Sequence, residues 1–100
     1  MNDKDKELIK AMAEFHGYEI LNTQFSDCVQ VKSADGDFLY RPLTNGTQLN
    51  EFVEKAKIDI AYFPLRELWD AQKNTHYKED KDRTKATLLC IADFLEVKWS

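Results

Sequence analysis

Apolar residues recur at helical spacing near the start of the chain, with Leu8, Met12 and Phe15 on one side and Ile9 beside them. This pattern predicts a core-facing helix from about Asp5 to His16. Asp3 or Asp5 can cap its start, and Gly17 can end it in a left-handed turn. The pattern then changes period. Tyr18 to Leu21 reads as a short strand, and Cys28-Val29-Gln30-Val31-Lys32 alternates apolar with polar residues as a half-buried strand does. Ala34-Asp35-Gly36-Asp37 supplies a hairpin turn, Phe38-Leu39-Tyr40-Arg41 returns as its partner, and Pro42 stops it.

A second helix begins between Thr44 and Thr47, where side-chain oxygens can cap free N–H groups. Leu49, Phe52, Val53 and Ala56 form its apolar stripe, opposed by Glu51, Glu54, Lys55 and Lys57. The stretch from Ile58 to Lys73 fits two readings. Ile58, Ile60 and Tyr62 alternate until Pro64 interrupts. Leu65, Leu68, Trp69 and Gln72 suit a helical turn, while Glu67 to Ala71 suits a strand with Trp69 facing inward. Residues 75–83 read as a polar, charge-dense loop. A third helix, capped by Asp82 or Thr84, carries Leu88, Leu89, Ile91, Ala92, Phe94, Leu95 and Val97 and should be covered on more than one side. No internal repeat, linker or low-complexity segment stands out.

The chain has 100 residues, the size of a single domain, so one α+β domain over residues 1–100 is expected. Its architecture is a small antiparallel sheet, a hairpin plus one or two further strands, packed by three amphipathic helices in the order α-β-β-β-α-(β)-α. With 43% apolar residues the chain can pack a core. A net charge of −4, with cations and anions interleaved, disfavours non-specific attraction to nucleic acid or anionic membrane. The charged N-terminus does not read as a secretory signal, and the longest apolar run, Leu88 to Ala92, is too short to span a bilayer. Cys28 and Cys90 are far apart in sequence and read as free thiols, which points to the cytoplasm.

Tyr40-Arg41-Pro42-Leu43-Thr44-Asn45-Gly46, leading into Leu49 and Phe52-Val53-Glu54-Lys55, resembles part of the phage ABA sandwich domain proteins, small proteins of phages and prophages. Trp69-x-Ala71 and the later apolar run Ala86 to Ala92 resemble that family's Trp-containing strand and closing helix. The likeness covers about residues 18–97 and departs from the family at Pro64-Leu65-Arg66. It implies a helix-and-sheet sandwich from a mobile element, favours strand at Glu67 to Ala71, and implies no reaction.

Candidate chemistry is sparse. His16, His76, Cys28 and Cys90 form no close ligand pairs, so no metal or other cofactor is expected. The acidic residues in 77–83 are interrupted by cations and lack the glycine of a calcium loop. Cys90 lies in an apolar helical face, where burial would raise its pKa, and Cys28 has no neighbouring base in sequence. No catalytic residue is assigned, and the chain is read as a non-enzyme.

The remaining signal is a set of aromatic and cationic residues, Tyr62, Phe63, Trp69, His76, Tyr77, Lys78 and Arg83, a composition suited to a protein-binding surface. The expected function is that of a phage or prophage accessory protein that binds a host or phage protein, inhibition of a host or defence factor being one form. A second copy of the chain is a further candidate partner, and a membrane is not. The alternative is a nucleic-acid-binding module using Lys73, His76, Tyr77, Lys78, Lys81, Arg83 and Lys85, although Glu79, Asp80 and Asp82 would repel a phosphate backbone.

Overall fold

Three helices alternate with two groups of three strands in the computed structural model, which describes residues 3–99. The order is α1 (Asp3–Phe15), β1 (Glu19–Asn22), β2 (Val29–Ser33), β3 (Gly36–Tyr40), α2 (Gly46–Ala56), β4 (Asp59–Phe63), β5 (Leu68–Lys73), β6 (His76–Asp80) and α3 (Arg83–Phe94). The fold class is α+β. The strands form two antiparallel sheets, β1-β2-β3 and β4-β5-β6, rather than one. The chain divides into two compact units between Lys55 and Ala56.

In the first unit α1 lies on β1 and β2 and buries Leu8, Ile9, Met12 and Ala13. Its C-terminus closes as the sequence suggests: Gly17 takes φ +81°, its N–H donates to Glu14 O, and Tyr18 N–H donates to Ala13 O. Val29 and Val31 of β2 and Tyr40 of β3 are almost wholly buried. Asn45 Oδ1 accepts from Gln48 N at 3.1 Å to cap α2. The Gln48 side chain then ties the helix back to the sheet, accepting from Arg41 N at 2.6 Å and donating to Leu39 O at 3.0 Å. Phe52 is fully buried, whereas Phe15 and Phe38 are only half-buried.

In the second unit α3 lies on β5 and β6. Asp82 caps it, its Oδ1 accepting from Thr84 N at 2.8 Å and Lys85 N at 3.2 Å. Six of its residues are buried, including Thr87, whose hydroxyl donates to Arg83 O at 2.8 Å. Segment 68–73 is a strand, as the Trp69 reading favoured, and 59–63 is its partner. The expected loop over 75–83 is instead largely strand β6, so His76 is a strand residue. The turn before it has no glycine. Asn74, at φ 54°, takes the left-handed conformation.

Contrary to the sequence reading, the structure contains a repeat. Glu19 faces Lys32 and Asp59 faces Gln72; Val29 faces Tyr40 and Trp69 faces Asp80; Ser33 faces Gly36 and Lys73 faces His76. Each pair recurs forty positions later in the same register. The repeat escapes notice because matched positions differ in chemistry: Val31 becomes Ala71, Phe38 becomes Lys78 and Tyr40 becomes Asp80.

Candidate functional site

All seven residues singled out from the sequence lie in the second unit, but strand pleating divides them between two faces of one sheet. Trp69 and Ala71 of β5, Tyr62 of β4 and His76 and Lys78 of β6 share the face that carries α3. Phe63 and Tyr77 lie on the outer face with Glu79. Arg83, the first residue of α3, belongs with the helix side.

On the helix side, the Tyr62 and Trp69 rings meet with centroids 5.0 Å apart, and the Arg83 guanidinium lies 5.6 Å from the Trp69 ring. Trp69 is half-buried, neither core nor free surface. Further along, His76 Nδ1 stands 2.7 Å from Asp93 Oδ2 of α3. That hydrogen bond holds the Asp93 carboxyl below the usual carboxylate range. The His76 ring also meets Phe94 edge-on at 5.9 Å, and Lys73 Nζ sits 5.0 Å above the Phe94 ring.

At this corner a thiol and an imidazole lie in neighbouring elements but engage different partners. The Cys90 thiol donates to the His76 main-chain carbonyl at 3.8 Å, while the imidazole is directed to Asp93. Cys90 is fully buried, and burial pushes its pKa up, as it does for Cys28. Among the described residues, no three His, Cys, Asp or Glu side chains are placed to hold a metal ion. A cleft of about 130 Å³ opens beside Asp93, with Lys78, Leu89, Lys98 and Trp99 in its wall. That is well below the volume usual for a small-molecule site.

The outer face is different. Phe63 and Tyr77 are 40% and 42% exposed. Arg66, in the turn between β4 and β5, ties them together: its guanidinium lies 4.8 Å from the Phe63 ring and donates to Glu79 Oε1 at 3.0 Å. The Tyr77 hydroxyl donates to the same carboxylate oxygen. These two donors lower the Glu79 pKa, the Tyr77 hydroxyl contributing most. Leu65, in the same turn, is fully exposed. Sequence reasoning named Phe63 and Tyr77 but missed Arg66 and Glu79. Alternation along β6 would have paired Tyr77 with Glu79, had the segment been read as a strand.

The second sheet separates Tyr77 of the nucleic-acid alternative from four of its basic residues, which share the helix side. Lys73, His76 and Lys78 face α3, Arg83 lies against Trp69, and Tyr77 is on the opposite side of the sheet. No described helix is long and apolar enough to cross a membrane. No family model, curated protein or solved structure matches the chain.

Proposed function

We propose that this chain is a non-enzymatic binding module that engages another protein through the outer face of its second sheet. The observation that carries the reading is the Phe63–Arg66–Glu79–Tyr77 cluster: two exposed rings on rigid strands, joined by an arginine held in place before any partner arrives. Aromatic and arginine side chains dominate the energetics of protein interfaces, and preorganisation reduces the ordering entropy lost on binding. The resemblance to phage ABA sandwich domain proteins gives the proposal its form, a phage or prophage accessory protein that inhibits a host or defence factor in the cytoplasm.

The test compares proteins retained from a bacterial lysate by the immobilised wild-type chain and by a Phe63→Ala/Tyr77→Ala variant. The expected result is at least one stoichiometric protein held by the first and lost from the second. Identical retention by both would sink the reading.

A further inference from the structure

The four edge strands of the two sheets differ in how they are guarded. β1 is interrupted by an irregularity in its pairing between Ile20 and Asn22. β3 runs into Pro42, and β6 carries Lys78, Glu79 and Asp80. Bulges, prolines and charges are the devices by which natural sheets prevent edge-to-edge pairing. The guards of β4 lie only at its two ends, Asp59 at its start and Pro64 directly after Phe63, and it pairs with β5 without a break. Its last four residues, Ile60-Ala61-Tyr62-Phe63, are uncharged, and Ala61, Tyr62 and Phe63 are exposed.

We propose that β4 is the strand through which two copies of this chain pair, antiparallel about a two-fold axis at Ala61. The contact joins two three-stranded sheets into one of order β6-β5-β4-β4-β5-β6. In this register Ala61 faces Ala61 of the second copy, Ile60 faces the second copy's Tyr62, and Asp59 faces the second copy's Phe63. The occupant is a copy of the same chain because the strand complements itself at each position. Alanine at the axis leaves room for close approach. Tyr62, 45% exposed and already in tilted ring contact with Trp69, gains an isoleucine neighbour on its open side. Asp59 comes opposite a phenylalanine ring that lies beneath the Arg66 guanidinium, so an acid meets a cation twice by symmetry.

The pairing shares Phe63 and Arg66 with the proposed partner site but makes no use of Tyr77, so a change at Tyr77 distinguishes the two. Tyr77→Ala leaves the dimer intact.

Sedimentation equilibrium of the full chain over a concentration series is the first measurement. A monomer–dimer equilibrium is expected, with Ala61→Glu weakening it by about tenfold or more, because like charges then face each other at the axis beside Asp70 of each copy. Site-directed cross-linking fixes the register. Ala61→Cys under mild oxidation should give a covalent dimer, since directly opposed residues have Cα atoms about 4.5–5.5 Å apart. Asp59→Cys should not, because its two copies lie about 14 Å apart in this register. The native thiols are buried and do not compete. A wild-type chain that stays monomeric at every concentration, or Asp59→Cys cross-linking as readily as Ala61→Cys, overturns the proposal.

Discussion

The two units of this chain share a strand register, except past the irregularity in β1 between Ile20 and Asn22, but not an interior. In the first, the sheet face beneath α1 carries Val29, Val31, Phe38 and Tyr40, joined by ring contacts of Tyr18 to Phe38 at 5.2 Å and Tyr40 at 5.7 Å. In the second, the matched positions hold Trp69, Ala71, Lys78 and Asp80, with a histidine–aspartate contact nearby. The turns differ in the same sense. The first unit uses Gly17 and Gly36 where φ is positive, and the second uses Lys57, Glu67, Asn74 and Glu96. A common hydrogen-bonded frame therefore tolerates two chemistries. One half is built around an apolar interior, and the other places polar side chains beneath its helix and takes positive φ at non-glycine residues.

The sharpest way to break this comparison is to remove packing. Phe52→Ala should lower the unfolding free energy by about 3–5 kcal/mol. Lys78→Ala, at the position matching Phe38, should change it by only about 0.5 kcal/mol. Urea unfolding followed by circular dichroism checks both. Equal losses would mean that the second interior is as tightly specified as the first.

Backbone strain comes next. Gly17→Ala should lower stability by about 1–2 kcal/mol, since a side chain at φ +81° is disfavoured although no atom lies within 4 Å of the added Cβ. At the matching helix end, Glu96 N–H donates to Asp93 O and Val97 N–H to Ala92 O in the same closing pattern. Glu96→Gly there should instead gain up to about 1 kcal/mol. Thermal melts of the pair decide whether these two ends are equivalent in energy as well as in geometry.

A smaller effect concerns buried polar atoms. The Tyr40 hydroxyl and His16 Nε2 are buried without partners, and both rings belong to the aromatic cluster of the first unit, 5.7 Å apart. Tyr40→Phe should therefore leave stability unchanged or raise it by up to about 1 kcal/mol. A clear loss in a chemical denaturation curve would reveal a partner for the hydroxyl.

The last distinction is in pH. Burial, and then the Lys55 charge, hold the His16 pKa below its ordinary 6.5, so the folded chain resists protonation there. Below pH 6.5 the unfolded chain binds more protons at this site, and stability falls until the folded value is passed. His16→Phe should flatten that slope. Asp93 behaves oppositely in origin: its lowered pKa supplies stability above pH 3.8, lost as pH falls through the folded value. Asp93→Asn should remove only this more acidic phase. Tryptophan fluorescence follows the second unit alone, because both tryptophans, Trp69 and Trp99, lie there.

Much of the first unit was legible in the sequence, because its signals are local. Asp35-Gly36 marks the β2–β3 hairpin, Gly17 ends α1, and the α2 stripe repeats cleanly. The second unit hides the same elements. Its matching hairpin turns on Asn74-Thr75 without glycine, and His76-Tyr77-Lys78-Glu79-Asp80 has no apolar alternation, since the face beneath α3 is itself polar. The candidate site shows the same limit. Composition identified Phe63 and Tyr77, but the arginine and glutamate that organise them belong to a turn and a strand that periodicity could not place.

One cysteine is sealed in each half, Cys28 in the first and Cys90 in the second, at 1% and 0% exposure. A slow alkylating reagent left with the native protein can therefore act as two independent clocks, one advanced by each excursion that uncovers residue 28 and the other by each that uncovers residue 90. Peptide mass spectrometry reads both from the same tube, and the ratio of the two rates reports directly which half of the chain opens more often.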